Sequence, residues 1–160
     1  MKCAYCDRER PATREHVWPS CFLERFGREV AKFSVKSKKA HGADYVVADV
    51  CADCNGGPLS EADTYFCSLY DQYFYRLHDT RSTVLFRYDY RLLLRALLKI
   101  SYNSARSGGS NAEPFLPYRP FVLGEAGPPD SVAVFLELVA PSIRISSRCH
   151  HSIKLPGSIH

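Results

Sequence analysis

No stretch of the 160 residues approaches the roughly 18 consecutive apolar positions that a membrane-spanning helix needs. The N-terminus lacks the apolar core of a signal peptide, because Met1-Lys2-Cys3 is followed by charge. No internal repeat is visible, and the tail from Cys149 onward carries no usable pattern. The seven cysteines are odd in number, which argues against the disulfide framework of a small secreted scaffold. Together these absences point to a cytoplasmic chain with no membrane partner. Its length suits one ordinary domain, or a small module with a second unit attached. In that compartment thiols stay reduced, and paired cysteines signal metal more than disulfide.

What is present suffices for a core, with 46% hydrophobic residues beside 24% charged ones. The net charge of +4 conceals an asymmetry. Residues 1–40 hold ten Lys and Arg against five Asp and Glu, a net +5, and the remainder sums to −1. A basic first segment suits contact with phosphates, although a solvated surface can carry the same excess.

Two short stretches organise the chain. One is Cys3-Ala4-Tyr5-Cys6 followed by Glu15-His16-Val17-Trp18-Pro19, and the other is Cys51-Ala52-Asp53-Cys54-Asn55. Each CxxC is a tight knuckle whose two sulfurs can reach one ion, and two knuckles supply the four thiolates of a tetrahedral zinc site. Closing that site would draw Glu15 and His16 towards Asn55. A histidine is a natural general base near neutral pH. Carboxylate and amide oxygens hold a hard cation such as Mg²⁺ or Mn²⁺. The plainer reading of His16 is a buried or surface histidine without a duty.

In this combination the motifs resemble those of the HNH endonucleases, over residues 1–65. The resemblance implies an α+β fold that begins with a ββα-metal (His-Me finger) module. It also implies a structural zinc on Cys3, Cys6, Cys51 and Cys54, and hydrolysis of phosphodiester bonds in DNA, or RNA. Under it His16 is the base, Glu15 and Asn55 hold the catalytic Mg²⁺ or Mn²⁺, and Asp63 is a further ligand or orienter. Two departures stand out. Val46 occupies the place of an asparagine that orients the histidine in many members, with Asp44 and Asp49 nearby. Glu15 stands where Asp is commoner. The alternative function is a non-catalytic zinc module that docks nucleic acid or a protein.

The remaining pattern predicts the following elements. Residues 13–18 read as a strand ended by Pro19, and Ser20 caps a helix to Phe26. Residues 29–35 form an uneven strand, and the basic run 36–42 a turn, either solvated or in contact with a nucleic-acid backbone. The clearest strand is 45–50, pairing antiparallel with an earlier one and leading into the second knuckle. Asn55-Gly56-Gly57-Pro58 reads as a flexible break, and Ser60-Glu61-Ala62-Asp63 as a capping box opening an amphipathic helix over 60–78. Asp63 in that first turn also complements the helix dipole. A second helix is expected over 84–104, with Arg87, Arg91, Arg95 and Lys99 on one face, as a solvated face or a phosphate-contacting ridge. A buried strand at 131–139 and another at 143–147 follow a flexible, Pro-rich link. Cys21, Cys67 and Cys149 are expected as buried thiols. This divides the chain into a nuclease module (1–65), helices packing on it (66–106) and a β-containing extension (107–160). The helical half is also a candidate surface for a homodimer or a sensor partner.

Overall fold

The computed structural model describes residues 1–26, 32–34, 39–41, 45–76 and 82–136. Its order is β1 (Ala12–His16), α1 (Ser20–Phe26), β2 (Lys32–Ser34), β3 (Lys39–His41), β4 (Val46–Cys51), α2 (Ala52–Cys54), α3 (Ser60–Leu69), α4 (Tyr90–Gly108) and α5 (Arg119–Val122). A π-helical turn, Asn55–Leu59, joins α2 to α3, and a second, Tyr70–Phe74, extends α3. The architecture is α+β. Two separate antiparallel pairs, β1–β4 and β2–β3, supply the strands.

The β1–β4 pair carries the site. Its register runs from Ala12 opposite Cys51 to His16 opposite Val46, and it slips once, so that Ala48 and Asp49 together face Arg14. In a regular strand Val47 and Val50 would point to opposite faces. The extra residue in β4 resets the alternation, and both valines are buried. The slip also frees the Asp49 carbonyl from the ladder, and the Ala4 N–H takes it at 2.9 Å. The first knuckle is therefore fastened to β4 through the bulge. Burying a valine side chain contributes roughly 1.5–3 kcal/mol, so Val47 and Val50 anchor this pairing more firmly than its few hydrogen bonds do.

The core is shared between the knuckles and the later helices. Cys3, Tyr5, Val47, Val50, Cys51, Cys54 and Leu59 pack with Leu94, Leu98 and Tyr102 of α4 and with Phe121 and Val122 of α5. Asp89 caps α4 by accepting the Leu92 N–H at 3.0 Å. The helix ends on Gly109, whose φ of 69° is the left-handed turn that glycine adopts without strain.

Several elements differ from the sequence expectation. The chain is already helical from Ala52, so Ser60 (φ −63°, ψ −36°) lies inside the helical run and is no cap. The expected break at 55–58 is a wide turn kinked at Gly57 (φ −105°, ψ −107°). Pro58 fits there because the wide turn spares its missing N–H. The second helix begins at Tyr90, capped by Asp89, and not at 84, since residues 82–89 are not helical. Lys39–His41, expected in a turn, pairs with Lys32–Ser34 as a strand. Residues 131–136 form no strand, and Phe135 is 90% exposed. Cys21 and Cys67 are not free thiols but a disulfide joining α1 to α3. Asp44, Cys149 and the strand expected at 143–147 lie outside the described residues.

The aromatic stripe of α3 is half inside. Phe66 and Tyr70 pack against Phe22, with ring centroids 5.5 and 5.0 Å apart, while Phe74 and Tyr75 are exposed. No helix among the described residues is long and apolar enough to cross a membrane.

Candidate functional site

The first knuckle folds back on itself. Asp7 takes a left-handed φ of 59°, and its N–H donates to the Cys3 carbonyl at 3.0 Å. Arg119 of α5 clamps the turn from outside, with Nη2 2.8 Å from Asp7 Oδ2 and Nη1 2.9 Å from the Ala4 carbonyl. The second knuckle straddles the end of β4 and the first turn of α2, where Cys51 is the last extended residue. The four sulfur atoms of Cys3, Cys6, Cys51 and Cys54 lie within 4.8 Å of one another.

That spacing fits a metal and not disulfides. Four sulfurs about 2.3 Å from one ion stand about 3.8 Å apart, and Cys6 Sγ lies 3.8 Å from Cys51 Sγ. All four are free cysteines, although the same chain forms a disulfide elsewhere. The Cys51 N–H points at Cys3 Sγ, 3.3 Å away, as backbone amides do towards a thiolate. Burial raises the Cys3 thiol, but the backbone N–H groups of Cys6, Cys51 and Tyr5 draw it down to about 6. Burial and the neighbouring sulfurs push Cys54 far up. Without a cation the cluster tolerates few negative charges, and a bound metal such as zinc would let all four ionise.

Beside the knuckles, α4 sends an inward polar stripe towards β1. Arg95 reaches the Val122 carbonyl at 3.0 Å, Glu61 at 2.8 Å and the Pro58 carbonyl at 2.9 Å. Asn103 accepts from the Tyr5 hydroxyl at 2.8 Å. Arg106 pairs with Asp49, with its guanidinium 4.7 Å from the centre of the Tyr102 ring. Arg95 and Lys99, expected on a solvated face or phosphate ridge, are thus interior residues; Arg87 and Arg91 remain exposed.

Lys99, 0% exposed, sits at the centre. Its Nζ lies 2.8 Å from the His16 carbonyl, 2.9 and 3.0 Å from the two Asp63 oxygens, and 2.6 Å from Glu15 Oε1. An ammonium has three N–H groups for these four oxygens. The Glu15 contact is accordingly an ion pair without an aligned hydrogen bond. Burial pushes both the Glu15 and the Asp63 carboxyls up, more than Lys99 draws them down.

Glu15 and Asp63 therefore meet, but on an ammonium. Glu15 and Val17 turn inward and His16 between them is half-buried, in strand alternation. The Asn55 side chain donates to Thr13 Oγ1 at 2.9 Å and to the Arg14 carbonyl at 3.0 Å, tying the helical run to the residues just before Glu15. Among the described residues the thiols are the one group of three or more Cys, His, Asp or Glu side chains gathered closely enough for an ion. A dication on Glu15 would have to share its carboxylate with the Lys99 ammonium, so Glu15 as arranged does not fit the catalytic ion that the resemblance implies; the two hydrogen bonds of the Asn55 side chain use its amide nitrogen. Lys99 and Asn103 were missed as site residues, because the carbonyl that both approach lies at least 83 residues earlier in the chain.

Compared with family models, curated proteins and solved structures, the chain matches none.

Proposed function

We propose that the chain is a phosphodiester hydrolase of the HNH kind acting on DNA, with zinc in its four-cysteine site and His16 as general base. The observation that carries this reading is the tie from Asn55 to Thr13 and Arg14. It sets the β1–β4 pair and the following helical run beside one another at the residues that the HNH resemblance singles out. Zinc on the thiolates would hold the knuckles, and with them β1 and Asn55, in that relation. His16, half-buried at the end of β1, would take a proton from the attacking water. Arg8, Arg10 and Arg14 are exposed on the same segment and would meet the phosphates. The resemblance also calls for Mg²⁺ or Mn²⁺ to neutralise the phosphate, but the Glu15 carboxylate that would hold it is paired with Lys99.

A second reading, a zinc module that docks nucleic acid or a protein without cutting, is favoured by the same Lys99 pairing, because it closes Glu15 and Asp63 to other partners. The exposed Phe74 and Tyr75 beside the helical half suit a homodimer or a sensor partner under either reading. Plasmid cleavage decides between the two. The zinc-loaded protein is incubated with supercoiled DNA in Mg²⁺, in Mn²⁺, and with neither. Nicking that His16→Ala abolishes, with zinc content and fold retained, supports the hydrolase. No cleavage under any condition, or full activity in His16→Ala, removes His16 as the base.

A further inference from the structure

Hard divalent cations are held by oxygen cages of carboxylates and carbonyls. Lys99 Nζ stands inside such a cage, made of one Glu15 oxygen, both Asp63 oxygens and the His16 carbonyl, all within 3.0 Å. The distances of 2.6–3.0 Å belong to ammonium–oxygen contacts. A magnesium–oxygen bond is about 2.0–2.1 Å. Lys99 arrives from α4, an element outside the 1–65 stretch that carries the HNH resemblance, and its side chain is fully enclosed.

We infer that Lys99 is the resident cation of the Glu15–Asp63 pair, filling with an ammonium the place where a divalent ion would otherwise bind. The inference deepens the hydrolase reading, on which the interest of Glu15 rests, by assigning the charge at that carboxylate to the protein itself. Two carboxylates and a carbonyl oxygen around one buried position would otherwise form an uncompensated anionic pocket. The ammonium offsets part of that charge and at the same time anchors the backbone of His16. A dication entering the cage would have to displace the Lys99 ammonium from its oxygens while its side chain stays enclosed, and a buried charge without its partners is costly. Wild type should thus bind no divalent ion through Glu15, and removing the ammonium should open the cage.

The test is a Mn²⁺ titration of the zinc-loaded full chain, with free Mn²⁺ read by electron paramagnetic resonance. Wild type is compared with Glu15→Gln, with Lys99→Met and with the double variant Glu15→Gln/Lys99→Met. Zinc content and circular dichroism check that each is folded. The expected result is no Glu15-dependent Mn²⁺ in wild type, one Mn²⁺ per chain in Lys99→Met held at least tenfold more tightly than any Mn²⁺ on wild type, and loss of that ion in the double variant. Should Lys99→Met not fold, Lys99→Gln, whose amide can still donate to Asp63, takes its place. One Mn²⁺ bound to wild type and lost in Glu15→Gln overturns the inference, and so does a folded Lys99 variant that binds none. The readout is independent of cleavage. A chain that shows this Mn²⁺ pattern but cuts no DNA loses the hydrolase reading and keeps Lys99 as the cation of the pair.

Discussion

Lys99 donates from the middle of α4 to the carbonyl of His16, 83 residues earlier in the chain, at 2.8 Å. One helical turn further on, the Asn103 amide points at the same carbonyl, 3.4 Å away. The place where β1 ends is thus fixed by a helix that the motif stretch does not contain. The resemblance leaves open what orients His16 when Val46 stands in place of an asparagine, and the α4 pair is a physical answer for its backbone.

Removing that anchor should be costly. In Lys99→Met the buried Glu15 and the half-buried Asp63 lose their counter-ion, and breaking a buried pair typically costs about 3–5 kcal/mol. Urea unfolding of zinc-loaded protein should show a loss of this size. Adding Glu15→Gln should restore part of it, because one uncompensated charge is then gone. A Lys99→Met variant as stable as wild type would mean that the cluster contributes nothing to folding.

The same carboxylates set a pH dependence. Burial holds Glu15 and Asp63 above the ordinary carboxylate range, so the folded chain keeps protons that the unfolded chain has released. The folded state then binds more protons in that window, and stability falls as pH rises. The contribution is full below the unfolded value of about 4 and is lost as pH climbs through the raised folded values. Wild type should therefore lose stability relative to Glu15→Gln over that interval, with both zinc-loaded. A difference that is flat, or that grows with pH, would contradict the direction given to Glu15.

How legible this was in the sequence depends on the range of the forces involved. The two CxxC pairs and the Val-rich strand were readable because ligand spacing and β-branching act locally, and both knuckles do meet. The start of α4 was also written locally, in Asp89, but the apolar run upstream of it masked the cap. Lys99 could not be read as interior, since four cations at one-turn spacing look alike on a helix until a partner is known. Its partners come from β1 and α3. The bulge in β4 was hidden for a similar reason: Val47 and Val50 break strand alternation, and only pairing with β1 shows that both face inward.

The metal site makes a stoichiometric prediction. One zinc per chain should copurify, and Cys54→Ser should abolish it and lower the melting temperature, since binding free energy in small thiolate sites is folding free energy. Chelation should reproduce the effect in wild type. The strand β4 and the core around Val50 should loosen together with the knuckles, visible as faster amide exchange at Val47 and Val50. Retained zinc and an unchanged melt in Cys54→Ser would exclude a shared four-thiolate site.

Asn55 separates architecture from chemistry. Asn55→Ala removes two hydrogen bonds to Thr13 and Arg14 and should cost about 1–3 kcal/mol with zinc retained, as removal of half-buried donors does. Thermal melts of the zinc-loaded variant measure this directly. A variant with unaltered stability would show that the tie between the helical run and β1 is not what holds them together.

The disulfide between Cys21 and Cys67 offers the last test, because its chemistry is separable from that of the thiolate cluster. It links α1 to α3 across a sequence separation of 46 residues. In the chain-entropy account, closing a loop of that length stabilises the fold by about 4 kcal/mol, as an upper figure. A phosphine reductant should therefore lower the urea midpoint of wild type and leave a Cys21→Ser/Cys67→Ser double variant unmoved. Zinc content should be the same before and after reduction in both proteins, since none of the four clustered cysteines takes part in the bridge. If reduction released zinc from wild type but not from the double variant, α1 and α3 would be coupled to the knuckles through the core. If reduction changed nothing in wild type, the bridge would be absent in solution and Cys21 and Cys67 would be the buried thiols that their sequence context predicts.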